Sequence, residues 1–159
     1  MSTFALAQQP TVRKEHWGMT KAEVIQAEKS PPLKQHPNQL TYLGTQDGIH
    51  AQVLFVFTNG KLDQISFVEN DSQGPEVALL TWCLALTKRY GHAVVYYNAK
   101  PIGDPADVLD VTFKDLLKQK AGELLAVFPP YRSTYSGVGA KIVNGAPSVE
   151  MDFTYRPDK

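Results

Sequence analysis

One cysteine, Cys83, is all the thiol in these 159 residues, so neither an intrachain disulfide nor a thiolate metal cluster can form. It lies in an apolar helical stretch, where a small buried thiol is expected rather than a reactive nucleophile. No apolar stretch reaches the ~18 residues that a bilayer span needs, so no transmembrane segment is expected. An excess of one charge is missing too. Sixteen Lys and Arg balance sixteen Asp and Glu without a long single-sign block, which removes the electrostatic footprint of a nucleic-acid or anionic-membrane binder. The histidines, His16, His36, His50 and His92, lack the close pairing of a zinc-binding helix. Ser72, Ser133 and Ser136 have no nucleophile-elbow signature around them. No metal, cofactor or catalytic constellation is legible, and nothing in the sequence speaks to oligomeric state.

What is present is a well-marked fold. The length suits one domain that buries roughly two thirds of its unfolded surface. Thr20 stands three residues before Glu23, the spacing of a capping box, and Met19 and Val24 are placed as a hydrophobic staple. A helix from Lys21 to about Lys29 follows, ended by Ser30-Pro31-Pro32. The segment to Asn38 reads as loop, and Gln39 to Thr45 as a strand. Asp47-Gly48 and Asn59-Gly60 suit tight hairpin turns, which gives a three-strand meander through Glu69. With a two-residue turn at Asn59-Gly60, Phe57 faces Leu62, Leu54 faces Ile65 and Gln52 faces Phe67. Apolar residues then fall on both faces, so the strand is central or the pairing is bulged.

Pro75 opens the longest helix, to about Tyr90, with Gly91 as its stop. Two apolar stripes, Val77-Leu80-Leu84-Thr87 and Leu79-Trp82-Cys83-Leu86-Tyr90, predict a core helix wet on little of its circumference. Ala93 to Tyr97 is a short strand and Asn98 to Gly103 a loop. Asp104-Pro105 reads as a helix start, with the helix running to about Lys120, although Val108 to Phe113 also fits a strand. Asp104, Asp107 and Asp110 recur every three residues, which dipole chemistry at a helix start explains better than calcium binding. His92, just after Gly91, is expected to cap terminal carbonyls. Glu123 to Phe128, Ala140 to Val143 and Val149 to Tyr155 complete a second meander, again with Asn-Gly at its last turn. The halves look alike in outline, and the order predicts an α+β fold: an antiparallel meander sheet with helices packed on one face.

Thr3 to Pro10 resembles the end of a secretory signal, with an A-x-A arrangement before a polar start, although the basic and most of the apolar regions are missing; the alternative is a plain polar tail. Residues 1–15 are expected as a flexible tail and 16–159 as one domain. The expected compartment is periplasmic or secreted, otherwise cytoplasmic. Asn70-Asp71-Ser72 matches a glycosylation acceptor, relevant only in a eukaryotic secretory route.

Tyr131 to Gly139, read as a loop between strands, combines aromatics, a guanidinium, hydroxyls and glycines, a composition suited to adaptable contact. Tyr131, Arg132 and Tyr135 are its candidate partner-binding residues, with Tyr96, Tyr97 and Tyr155 adding to an aromatic face. The leading expectation is a non-enzymatic module that recognises a protein partner. The alternatives are a small-molecule-binding protein or undeclared enzyme, with a pocket between the long helix and the sheet lined by Trp82 and Phe57, and an orphan cytoplasmic protein.

At Trp17-Gly18-Met19-Thr20 with Glu23-Val24, and at Leu86 to Gly91, the chain resembles small exported bacterial α+β proteins. These include the BamE (SmpA/OmlA) outer-membrane assembly lipoproteins and the β-lactamase-inhibitor-like fold group, in which a Gly-Met-Thr/Ser helix start precedes an antiparallel meander. The resemblance implies fold and export. The lipidation cysteine of the lipoproteins has no counterpart among these residues, and Ser30-Pro31-Pro32 stands where the family's first helix often ends in Gly-x-Pro.

Overall fold

The computed structural model describes residues 13–157; the secretory-like stretch Thr3 to Pro10 lies outside them. The elements are α1 (Lys21–Glu28), β1 (Lys34–His36), β2 (Gln39–Gln46), β3 (Ile49–Thr58), β4 (Lys61–Glu69), α2 (Pro75–Tyr90), β5 (Val94–Tyr97), β6 (Lys100–Gly103), α3 (Pro105–Gln119), β7 (Glu123–Val127), β8 (Thr134–Val143) and β9 (Ala146–Tyr155). They form an α+β fold with one antiparallel sheet in the order β1-β2-β3-β4-β9-β8-β7-β5-β6. The meanders β2-β3-β4 and β7-β8-β9 therefore join through their last strands, in mirrored order. Asn59-Gly60 and Asn144-Gly145 close the two corresponding hairpins with φ of 52° and 74°, and of 52° and 81°. Positive φ at both central positions matches the twist of the flanking strands.

The capping box forms as spaced. Glu23 N donates to Thr20 Oγ1 at 3.3 Å, while Glu23 Oε2 accepts from Thr20 N at 2.6 Å. Glu23 is thereby held below the usual carboxylate range, chiefly by the backbone donor at Thr20. Val24 is fully buried and Met19 packs beside the core, as a staple requires.

Along β3 the alternation is clean: Ile49, Ala51, Val53, Phe55 and Phe57 are buried, and the intervening residues are not. The buried set faces the helices. α2 crosses β8 and β9, α3 lies on β5, β7 and β8, and α1 contributes Val24 to the same core. Pairing between β3 and β4 departs from the simple register, because Asp63 is an extra residue. Phe57 faces Leu62 as expected, but Phe55 then faces Ile65 and Val53 faces Phe67. The bulge restores one dry face to a strand that otherwise reads as apolar on both. It also gives the chain before α1 a foothold: Gly18 N donates to Leu62 O at 2.8 Å, and Leu62 N donates to Met19 O at 2.8 Å.

Four more expectations are corrected. The segments before Asn38 and after Asn98 are not wholly loop; each holds a short edge strand, β1 and β6. The segment read as a loop from Tyr131 to Gly139 is largely β8. Gly137 and Gly139 resemble loop residues in sequence, yet they pair with Val127 and Leu125 because their bare backbones let those neighbours approach. Only one stripe of α2 is dry: Leu79, Trp82, Cys83 and Leu86 are buried, whereas Leu84 is 58% exposed. The other stripe faces out because the sheet covers one side of the helix only. His92 places Nδ1 3.2 Å from Asp104 Oδ2, so its side chain meets the carboxylate that stands between β6 and α3. The open choice at 108–113 falls to helix, since Leu109, Phe113 and Leu116 are buried at i, i+4, i+7 spacing while Val111 faces water.

Candidate functional site

Among the described residues every helix lies on one face of the sheet, and no layer covers the other. The strand register sets out what it presents. One row runs Leu54, Ser66, Asp152, Gly137, Val127, Val94; the next runs Gln52, Val68, Glu150, Gly139, Leu125, Tyr96. The two glycines make a lane without side chains between the acidic residues of β9 and the apolar residues of β7. A Cβ on Gly137 would sit 3.2 Å from Ala126 O, and one on Gly139 3.3 Å from Leu124 O; either would also touch Leu125 Cδ1 at 3.5 Å. Leu125 therefore lies flat over the lane.

On one side of Leu125 a hollow of about 320 Å³ is lined by Tyr96, Ala99, Glu123, Leu125 and Val127. On the other a pit of about 140 Å³ is lined by Glu123, Leu125, Lys141, Ser148, Glu150 and Asp152, among others. The rim is tied down at Asn98, whose N donates to Glu123 O at 2.9 Å and whose Oδ1 accepts from Glu123 N at 2.9 Å. Ala99 completes that turn at φ 65°, a conformation unfavourable for a residue with a Cβ.

Electrostatically, the pit centres on the β9 acids. Ser66, buried on β4, donates its hydroxyl to Asp152 Oδ1, and Gln64 Nε2 donates to Ser66 Oγ at 2.9 Å. Glu150 is pushed up to about 7, first by burial and then by the charge and hydrogen bonding of Asp152; Lys141 and Ser66 pull the other way. It thus changes charge near neutrality, in a place that water reaches. Among the described residues, no group of three or more His, Cys, Asp or Glu side chains converges as a metal site.

The residues singled out from sequence are divided among three places. Tyr131 and Arg132 occupy a tight turn, Tyr131 to Thr134, in which Arg132 and Ser133 take φ of 44° and 62°. There Tyr131 lies on the helix side, 6.2 Å from the Tyr90 ring, with the Arg132 guanidinium 5.3 Å above it. Tyr135 is on the uncovered face beneath Arg156, whose guanidinium is 5.5 Å from its ring. Trp82 and Phe57 are fully buried core side chains, and the indole of Trp82 donates to Gln46 O at 3.0 Å. Neither lines the hollow or the pit. Of the other tyrosines, Tyr96 lines the hollow, while Tyr155 faces the covered side and stacks on Trp17 at 5.8 Å. Cys83 is buried, which pushes its thiol up to about 11 and leaves it unreactive at neutral pH.

Sequence reading missed Glu123, Leu125, Lys141, Glu150, Asp152 and Ser66 as a group. The alternation of β9 marks Glu150 and Asp152 as facing away from the dry side, but only the pairing of β4 with β9 and of β7 with β8 brings their neighbours in. Among the described residues no helix is long and apolar enough to cross a membrane. No protein-family model, curated protein or solved structure matches the chain.

Proposed function

We propose that the chain is a non-enzymatic binding module that seats an extended segment of a protein partner on the uncovered sheet face, with one Lys or Arg of that segment in the pit. The observation that carries this reading is continuity: hollow and pit share Glu123 and Leu125, so an apolar floor leads straight to carboxylates. A basic side chain has the same sequence of chemistry, an apolar stem ending in a cation. Tyr96, Leu125 and Val127 suit the stem and Glu150 with Asp152 suit the head. Charge selects the occupant, since Glu123, Glu150 and Asp152 line the pit against Lys141 alone. A cation there favours the ionised form of Glu150, so binding releases a proton and tightens as pH rises from about 5.5 to about 7.5.

The test is fluorescence polarisation with a short labelled Thr/Val-rich peptide carrying one Arg, beside versions with Gln or Glu in its place. The Arg peptide binds most tightly, and Glu150→Gln with Asp152→Asn weakens it by about tenfold or more while the circular dichroism spectrum is unchanged. Three peptides that bind alike, no binding by any of them, or a double variant that binds as the wild type does would each overturn the reading.

A further inference from the structure

A second carboxyl pair lies on the helix-covered side. Glu15 is only 1% exposed, and among the described residues no other residue donates a hydrogen bond to either of its oxygens. It meets Glu28 of α1 side chain to side chain. Glu28 Oε1 in turn has Arg13 Nη1 at 3.5 Å and Lys14 Nζ at 3.7 Å. From β2 the buried Tyr42 hydroxyl faces both acids, without a hydrogen-bond partner among the described residues. The charged or titratable groups around Glu15 are therefore Glu28 from α1, Tyr42 from β2, and Arg13 with Lys14 from its own segment.

That segment, residues 13–19, is a strap with two differently fastened ends. At the Trp17–Met19 end the fastenings are neutral. The Trp17 indole donates to Thr134 Oγ1 at 3.0 Å and stacks on Tyr155, and Gly18 and Met19 bond Leu62. At the Arg13–Glu15 end the fastening is a cluster of ionisable groups. Ionised Glu15, buried and without a donor from another described residue, faces the Glu28 carboxylate, whose Oε1 has Arg13 and Lys14 at 3.5 and 3.7 Å; a proton on Glu15 replaces the repulsion between the two acids by a hydrogen bond.

We propose that this proton is a latch: with it, Glu15 and Glu28 hold the first part of the strap down, and without it residues 13–15 lift while His16–Met19 stay docked. Tyr42 cannot substitute for the proton donor by ionising, because burial and both acids hold its own hydroxyl protonated. Glu15 is raised to about 7, by burial first and by Glu28 next. Its folded value lies above the ordinary 4.5, so its stabilising contribution is complete in acid and is lost as pH rises through neutrality.

The experiment is amide hydrogen exchange by NMR on the full chain from pH 5.5 to 8.5, with protection factors corrected for intrinsic exchange. The Glu15 amide is expected to lose about tenfold in protection across that range, while the His16 amide, bonded to Met19 Sδ, keeps its protection and the Trp17 indole resonance stays in place. Glu15→Gln, which keeps a neutral hydrogen-bonding side chain, should abolish the transition; Glu28→Gln carries the same expectation should the first variant fail to fold. Glu150→Gln should leave the transition intact, which assigns it to the strap rather than to the pit. Flat protection in the wild type, or an unchanged transition in both strap variants, would overturn the latch.

Discussion

On the helix-covered side of the sheet, Glu15 and Glu28 meet in a space closed by α1 and Tyr42; on the uncovered side, Glu150 and Asp152 meet beside a pit open to water. Both Glu15 and Glu150 are raised to about 7, and in both cases burial is the leading cause. What differs is the surroundings. The covered pair has Arg13 and Lys14 already beside it, so it acts on its own chain. The uncovered pair has an apolar hollow next to it and room for a foreign cation. A shifted carboxyl by itself thus says little about role; access and the neighbouring surface decide it.

The largest expected effect lies on the covered side. Trp82→Ala should cost about 3–5 kcal/mol in chemical denaturation, because a fully buried indole leaves a cavity and Gln46 O loses its donor. Leu125→Ala on the other face should cost about 1 kcal/mol yet abolish binding of the Arg peptide; equal stability losses at the two sites would deny that one face is core and the other surface. Next in size is Glu15→Gln. At about pH 8.5 it should stabilise the fold by on the order of 1–2 kcal/mol and at about pH 5.5 by little, since it removes the charge that burial disfavours. Glu150→Gln should follow the same sign with less than about 1 kcal/mol, because water screens the pit. Smallest is Leu84→Ala on the exposed stripe of α2, expected within about 0.5 kcal/mol, whereas Leu86→Ala on the dry stripe should cost about 2–5 kcal/mol. Thermal and urea melts of this pair decide whether the helix has one dry side or two.

The fold was legible where local chemistry determines it. Thr20 with Glu23, the two Asn-Gly turns and the Pro75 and Gly91 boundaries lie within a few residues of their effects, and the structure follows them closely. The Phe57-Leu62 pairing was readable, but the bulge at Asp63 accompanies backbone bonds between Leu62 and Gly18 and Met19, which lie outside the hairpin. Gly137 and Gly139 suggested a loop because their value in a strand lies in the approach of Leu125, which precedes them by twelve and fourteen positions in the chain. The uncovered face was hardest. Glu150 and Asp152 were visible as the wet side of a strand, yet Ser66, Lys141 and Leu125 join them only through pairings that no local pattern encodes. Tyr131, Arg132 and Tyr135, neighbours in sequence, are separated because β8 begins between them and sends Tyr135 to the opposite side from the Tyr131 ring.

The most direct measurement is NMR chemical-shift mapping of the labelled chain titrated with the Arg peptide. The largest amide shifts are expected at Tyr96, Glu123, Leu125, Gly139, Lys141 and Glu150. Shifts centred instead on Tyr131 and Arg132, or on the exposed stripe of α2, would contradict that placement.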